Sequence, residues 1–190
     1  MRPSLTIRSS GRTNNMTLRL VEPQLDFRDS YRTFVQEFKE TGEPLHPFTL
    51  SFPYDDFDSL VVRLHAYGRG EDLPPGFVAH STYWLIQNES EIVGVSNLRH
   101  ELTDKLRFKG GHIGYGIRPS ARRKGFATAL LAQTLIRARE IGLREVLLTC
   151  DKRNEASART ILRNGGILLN EELIPSRGEA IQRYVIPLTD

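Results

Sequence analysis

The stretch from Gly114 to Thr128 constrains this chain most, because it joins a short apolar run to a basic, glycine-containing turn and then to an amphipathic segment. From Ala127 onward, apolar residues recur at helical spacing, and Gly142 is a suitable stop. The stretch therefore predicts a strand, a turn and a helix in that order. The first turn of such a helix offers free backbone N–H groups and the positive end of the helix dipole. This arrangement favours phosphate binding.

The apolar pattern predicts an alternating α/β order in a single domain. Strands are expected at 18–21, 82–87, 92–98, 113–117, 146–150, 167–169 and 180–186. Helices are expected at 26–39, at 55–67, from 127 up to Gly142, and from Asn154 to the Gly165-Gly166 pair. The Pro- and Gly-rich segments 41–53 and 68–76 are expected to be loops, and their length indicates a binding role.

Composition narrows the possible functions. The chain has 190 residues, and its formal charge of +3 is too small for a protein that coats nucleic acid. The basic residues Arg118, Arg122, Arg123 and Lys124 are instead expected to face a polyanionic cofactor. We expect one domain over residues 16–190. Residues 1–15 hold no acidic side chain and many Ser, Arg and Asn, so we expect either a disordered extension or a true start at Met16.

Cysteine, histidine and hydropathy patterns exclude other classes. Cys150 is the one cysteine, so no internal disulfide can form, and this favours a reducing cytoplasm. Its place in an apolar strand predicts packing rather than nucleophilic chemistry. The five histidines show no metal-ligand spacing, and no apolar run has the length of a membrane span. We therefore expect no metal, no nucleic acid and no membrane partner.

The segment Arg122-Arg-Lys-Gly-Phe-Ala127 resembles the Arg/Gln-x-x-Gly-x-Gly/Ala signature of the Gcn5-related N-acetyltransferases, abbreviated GNAT. The surroundings agree, since a strand precedes it and a second strand and Asn154-Glu-Ala-Ser157 follow its helix. The resemblance covers residues 80–187. Two motifs resemble those of a bacterial subgroup of predicted acetyltransferases, namely Gly-His-Ile-Gly-Tyr at 111–115 and Asn-Gly-Gly at 164–166. This resemblance implies no particular substrate.

The resemblance implies the acyl-CoA N-acyltransferase fold, a twisted mixed β-sheet flanked by helices, in which the fourth and fifth strands splay around the pantetheine arm. Those strands would be 113–117 and 146–150. Strand backbone would bind pantetheine, turn N–H groups would hold the pyrophosphate, and Asn154 would contact the cofactor arm, or act only as a helix cap. The acetyl-CoA-binding residues so implied are Tyr115, Gly116, Ile117, Arg122, Arg123, Lys124, Gly125, Phe126, Ala127, Thr128, Asn154 and Ser157.

The chain departs from the family where a catalyst is usually sought. Many members carry a tyrosine seven residues after the Asn, and here that position is Ile161. Many also carry a glutamate near the end of the fifth strand, and the comparable residue is Thr149. Histidine titrates in the useful range, and other members place a base near the start of the fourth strand, so His112 is the first choice. The substitute candidates are His100, Glu101, His112 and Tyr115.

The implied function is acetyl-CoA-dependent N-acetyl transfer to a primary amine of a small molecule or peptide, by direct attack of the amine on the thioester. The alternative is a non-catalytic acyl-CoA-binding or regulatory module of the same fold. A P-loop nucleotide site is disfavoured because its motif is absent, and a dinucleotide site because Gly114 and Gly116 lie inside the strand. The expected partners are acetyl-CoA, an amine acceptor and, in a homodimer, a second copy.

The acceptor is expected to bind the N-terminal half of the chain. Asp55, Asp56 and Asp58 form an acidic cluster that would attract a cationic amine. The other interpretation is that these carboxylates stabilise the start of the second helix through its dipole. The sequence leaves both open.

Overall fold

The computed structural model describes residues 5–6, 16–174 and 178–188. Its strands form two antiparallel sheets, of five strands in the order β1-β2-β3-β4-β5 and of three in the order β6-β8-β7. The strands are β1 (Leu5–Thr6), β2 (Thr17–Val21), β3 (His80–Gln87), β4 (Glu91–Arg99), β5 (Ile113–Ile117), β6 (Glu145–Asp151), β7 (Ile167–Ile174) and β8 (Glu179–Pro187). The helices are α1 (Arg28–Thr41), α2 (Phe57–Gly68), α3 (Asp104–Phe108), α4 (Phe126–Glu140) and α5 (Glu155–Arg163).

The helices form because their apolar residues fall on one face, and some of their ends are capped. In α1, Tyr31, Phe34, Val35 and Phe38 are buried at helical spacing. The helix ends at Gly42, whose φ of 67° suits glycine. The side chains of Asp56 and Asn154 cap the N-termini of α2 and α5. Every described helix is too short or too polar to span a lipid bilayer.

The core has two layers, one on each face of the first sheet. α1 and α2 cover one face, where Trp84 and Phe34 are fully buried. α4 covers the other, where Leu85 of β3 and Leu130 of α4 are fully buried. Burying side chains of this size contributes about 2 kcal/mol each. The two faces of the first sheet therefore pack against different helices, and the side chains of its last strand, β5, alternate between the same two faces.

Most predicted elements are confirmed within a few residues, with three differences. Within the predicted sheet the ladders fall into two antiparallel parts, and strands 167–174 and 179–187 complete the second of them. α3 is absent from the prediction because its five residues are too few to show a helical period. Leu5 and Thr6, which lie within the predicted extension, pair with β2, and the domain boundary at residue 16 stays a prediction. The rest of that extension, 1–4 and 7–15, lies outside the described residues.

The two sheets meet where β5 and β6 lie side by side. The N–H of His112 donates to the carbonyl of Leu147 at 2.8 Å, and the N–H of Leu147 donates to Nδ1 of His112 at 2.9 Å. Farther along, the Tyr115 side chain lies near Cys150, so both strands run in the same direction. In the part of the chain that the structure describes, no ladder joins β5 to β6 beyond this junction. The predicted splay between these strands is therefore present, closed at His112.

Candidate functional site

Residues 122–128, called the 122–128 turn, connect β5 to α4. Arg123 and Gly125 both have left-handed backbone, with φ of 62° and 83°. Gly125 is the N-cap of α4 and has no side chain with which to cap it, and the first helical turn holds no acidic residue. A Cβ placed on Gly125 would have nothing within 4 Å, so the space before the turn is open. The first-turn N–H groups can therefore take an anion.

The basic side chains of this region do not all face the open space. Arg123 and Lys124 are exposed. Arg122 instead donates two hydrogen bonds to Glu43, at 2.7 and 2.8 Å, and these bonds lower the pKa of the Glu43 carboxyl. Arg118 is only 4% exposed and donates to Glu37 at 2.8 Å. Arg118 therefore braces β5 against α1, and our expectation that it faces a cofactor is not met.

Tyr115 lies on the face of β5 that α4 and α5 cover. Its hydroxyl shares a 2.9 Å hydrogen bond with Oγ of Ser157, in the first turn of α5. Burial raises the pKa of Tyr115 to about 12 and that of nearby Cys150 to about 11. The phenol is therefore protonated at neutral pH and can donate a proton inside the splay. The buried thiol is a poor nucleophile.

Asn154 is the N-cap of α5. Its Oδ1 accepts a hydrogen bond from the N–H of Ser157 at 3.0 Å. This contact is the capping role that we considered beside a cofactor contact, and it holds Ser157 against Tyr115. Asn154 therefore fixes the start of α5 at the wall of the splay that Ser157 and Tyr115 form.

His112 lies at the closed end of the splay. Its Nδ1 already accepts the hydrogen bond from Leu147, so the lone pair that a base needs is in use. Burial, and then the charge of Arg107, lower the pKa of His112 to about 4. The side chain is 9% exposed. This geometry favours a structural role, in which His112 joins the two sheets, over the role of general base.

The other two candidates at the end of β4 are apart from the splay. Nε2 of His100 lies 2.9 Å from Oγ of Ser81 on β3. Glu101 is exposed and acts on His100 through its charge. The structure brings Tyr115, Ser157 and the 122–128 turn together around β5, but it does not place Glu101 with them.

On the opposite face of β5 lies part of the predicted 41–53 loop, residues 42–47, called the 42–47 loop, in which no residue was a predicted site residue. A Cβ on Gly114 would lie 3.4 Å from both Nε2 of His46 and Cβ of Pro47. A Cβ on Gly116 would overlap the carbonyl oxygen of His46. The loop therefore packs this closely on β5 because Gly116 has no side chain, whereas a Cβ at Gly114 would make only ordinary contacts. A Gly-x-Gly pair inside a strand is the one signal that indicates such a close approach.

The acidic cluster before α2 has structural partners. Asp56 is the N-cap of α2 and accepts from the N–H of Ser59 at 3.1 Å. Asp58 forms an ion pair with Arg28 of α1. These contacts favour the helix-start interpretation of Asp56 and Asp58 over the binding of a cationic acceptor.

The family model of the acetyltransferase (GNAT) domain matches residues 16–167. The chain belongs to the GNAT family. The predicted family, fold and enzyme class, an acyltransferase, are thereby confirmed. A comparison with curated proteins found no match.

Solved structures agree on the fold of this GNAT protein. The microcin C7 self-immunity acetyltransferase MccE, solved with acetyl-CoA and AMP, has a TM-score of 0.65 at 15% identity over 93% of this chain and 94% of that one. A Salmonella typhimurium acetyl transferase, described as modifying the N-terminal serine of ribosomal protein L7/L12, has a TM-score of 0.64 at 15% identity over 93% and 97%. Vibrio cholerae spermidine N-acetyltransferase with CoA and spermine has a TM-score of 0.59 at 15% identity over 90% and 95%. At these identities the likeness shows the fold.

The two positions where this GNAT chain lacks the usual side chains have packing roles. Ile161 is fully buried in the core between α4, α5 and the sheets. Oγ1 of Thr149 accepts a hydrogen bond from the N–H of Gly110 at 2.9 Å, beside the β5–β6 junction. The chain must therefore supply any proton donor or acceptor from other residues.

Proposed function

We propose that this protein transfers the acetyl group of acetyl-CoA to a primary amine of a small molecule or peptide. The observation that carries the proposal is the 122–128 turn, an uncapped helix start with a left-handed glycine. The turn lies at the end of a strand whose outer edge has no ladder partner beyond the junction among the described residues. A pyrophosphate needs the first feature and an extended pantetheine arm needs the second. One end of the cofactor would thus bind helix N–H groups and the other a strand edge.

Each predicted cofactor residue has a distinct part in this proposal. Main-chain groups of 115–117 would bind the pantetheine amides. N–H groups of 123–128 would hold the pyrophosphate, with the exposed Arg123 and Lys124 adding positive charge. Arg122 would act mainly through its main chain, because its guanidinium is bound to Glu43. Asn154 and Ser157 would form the wall on the α5 side.

The chemistry asks little of the leaving group. CoA leaves as a thiolate, and a thiol of ordinary pKa, about 8.5, needs at most one proton donor. We assign that donor to the Tyr115 hydroxyl, because it is protonated, lies inside the splay and is oriented by Ser157. It takes the place of the tyrosine that is absent at 161. Main-chain N–H groups of β5 would polarise the thioester carbonyl.

The proposal covers two classes of acceptor, the N-terminal amine of a peptide and a small polyamine. The Salmonella enzyme is described as acting on an N-terminal serine and the Vibrio enzyme on spermidine, so this fold serves both kinds of acceptor. In this chain, the acceptor would approach from the α1 and α2 side of β5, where the 42–47 loop lies. The approach fits direct attack, since the cofactor would occupy the splay.

The decisive experiment is free-thiol release from acetyl-CoA with a panel of polyamines, amino acids, small amines and N-terminal peptides. Gly125→Glu places a carboxylate where the pyrophosphate would lie, and Gly142→Glu makes the same change at a glycine of similar φ, 89°, just beyond the other end of α4. Turnover by the wild type and Gly142→Glu but not by Gly125→Glu supports the proposal. Acetyl-CoA binding without turnover for any acceptor favours the non-catalytic module, and absence of binding refutes both.

A cytoplasmic location and a homodimer also stay proposals. β7 is an edge strand of the second sheet, and its apolar side chains are exposed, among them Ile167, Leu169 and Leu173 at 55%, 55% and 60%. A second copy would cover them, as the family's frequent use of its C-terminal strands suggests. Sedimentation velocity of the wild type and of Leu173→Glu measures this: a wild-type dimer that the substitution dissociates supports it, and a wild-type monomer refutes it.

A further inference from the structure

His46 is set apart from the other histidines by its contacts. In the part of the chain that the structure describes, every other histidine ring has a nitrogen in a hydrogen bond. The partners are the carbonyl of Pro23 for His65, Asn97 for His80, Ser81 for His100 and the N–H of Leu147 for His112. The ring of His46 has no hydrogen-bond partner among the described residues, and it is exposed to solvent. Both of its nitrogens are therefore available to a ligand.

The position of that ring is fixed by close packing on β5. Nε2 lies 3.4 Å from where a Cβ of Gly114 would be, and the His46 carbonyl lies against Gly116. These are the residues on either side of Tyr115, whose own side chain projects to the opposite face. A thioester carbonyl bound along β5 would thus have the Tyr115 hydroxyl on one face of the strand and the His46 imidazole on the other.

Burial, more than the charges around it, favours the neutral form of the His46 ring by lowering its pKa. Partial burial, despite its open side, and then Arg99 of β4 lower the pKa of His46, while Asp151 at the end of β6 opposes them. Within the 42–47 loop, Glu43 is the other charged group, and it is paired with Arg122. A neutral imidazole facing solvent can accept a proton from an incoming ammonium group.

We propose that His46 is the general base that removes a proton from the acceptor ammonium. The step rests on the proposed function. His46 takes one proton from R–NH₃⁺, and the nitrogen lone pair then attacks the thioester carbon, so that the C–N bond forms and the C–S bond breaks. The nitrogen loses its second proton as the amide forms, and the departing CoA thiolate takes up one proton by way of Tyr115. The imidazolium returns its proton to solvent, so one proton is released per turnover.

Affinity labelling with bromoacetyl-CoA tests the position without knowing the acceptor. This analogue puts an alkylating carbon where the acetyl group would lie, and an imidazole nitrogen displaces its bromide to form an N–CH₂ bond, with one proton released. We expect peptide mass mapping to find the label on His46, protection by excess CoA, and loss of labelling in His46→Gln. His65→Gln on α2 is the matched control and should be labelled as the wild type is.

The outcomes separate the two proposals. If bromoacetyl-CoA binds but labels Cys150, His112 or nothing, His46 does not face the reacting carbon and the inference is wrong. If neither CoA nor its analogue binds, the proposed function itself fails. Calorimetric binding of CoA to the same samples distinguishes these cases.

A pH profile with an accepted amine tests the proton transfer. We expect His46→Gln to lower kcat about a hundredfold near pH 7, since positioned bases contribute on this scale. The loss should shrink at high pH, where the amine is neutral without help, and the melting temperature should stay near that of His65→Gln. A uniform loss at every pH, or a loss confined to KM, would contradict a base and indicate a positioning role.

Discussion

The 122–128 turn lies at the end of β5 and the 42–47 loop packs on the face of β5 opposite the Tyr115 side chain, and the two are built in different ways. The turn works through main-chain geometry, with left-handed residues at Arg123 and Gly125 and an uncapped helix start. The loop works through side chains, with His46 against β5 and Glu43 bound to Arg122. A main-chain site is specified by a short motif, whereas a side-chain site depends on contacts with distant parts of the chain.

The largest expected effect comes from the junction that holds both regions in register. A Cβ on Gly111, at φ 63°, would come within 2.5 Å of the Leu147 carbonyl. We expect Gly111→Ala to lower the free energy of unfolding by about 3 kcal/mol, from backbone strain and overpacking together. Gly178→Ala has the same φ of 63° and nothing within 4 Å, so it should cost about 1 kcal/mol. Equal urea midpoints for the two variants would show that the junction is not close-packed.

The next effect separates the loop from the turn. Gly116→Ala would push the His46 carbonyl away from β5, whereas Gly114→Ala makes only ordinary contacts at 3.4 Å. A shift of about 1 Å at a reacting group can cost about a hundredfold in rate. We expect that loss in kcat/KM for Gly116→Ala, a small loss for Gly114→Ala, and acetyl-CoA binding by both. If Gly116→Ala instead abolished acetyl-CoA binding as well as lowering kcat/KM, the loop and the turn would act as one site.

Lowering the pH should reduce the free energy of unfolding through two buried histidines, one of which lies at the β5–β6 junction. Burial, as the main cause, lowers the pKa values of His80 and His112 to about 4, against about 6.5 in the unfolded chain. The unfolded state therefore binds more protons between these values, and stability that is fully present above pH 6.5 falls as the pH drops toward 4. We expect urea midpoints to fall from pH 7 to pH 5, and less steeply in His112→Gln. A wild-type midpoint independent of pH over this range would contradict the neutral, buried state of both rings.

The smallest effect concerns the ion pair that ties loop to turn. Arg122 and Glu43 are 37% and 44% exposed, so Glu43→Gln should change stability by no more than about 0.5 kcal/mol. It frees Arg122, so acetyl-CoA should bind a few-fold more tightly, and this gain should fade at high salt. The control Glu71→Gln removes a comparable exposed pair with Arg69, beyond the end of α2. Equal cofactor affinities for the two variants would show that Arg122 does not respond to the cofactor.

The sequence predicted the turn well for a physical reason. The strand, the turn and α4 are adjacent along the chain, so apolar period and glycine position determine them locally. The structure confirms the helix within one residue of Ala127 and the strand at 113–117. The cap at Asn154 also follows from local chemistry.

The rest of the site depends on contacts between distant residues. Nothing near His46 in the sequence indicates that its ring lies over Gly114, because β5 comes after α2 and two further strands. The motif predicts Arg122 as a cofactor residue, but nothing near it in the sequence indicates that its guanidinium is bonded to Glu43. The position of His112 along the strand predicts a base, but the Leu147 N–H that occupies its Nδ1 comes from the neighbouring sheet, which the sequence does not indicate. Short helices such as α3 are not predicted from the sequence, because five residues are too few to show a helical period.

Calorimetric titration of acetyl-CoA into the wild type, Gly125→Glu and Gly142→Glu tests the central claim, that the main chain of the 122–128 turn holds the cofactor. The two substitutions share the strain of a left-handed position and differ only in which end of α4 they charge. We predict that Gly125→Glu weakens binding by about a hundredfold or more, through repulsion of the pyrophosphate, while Gly142→Glu binds as the wild type does. Wild-type affinity in Gly125→Glu, or equal losses in both variants, would contradict the account.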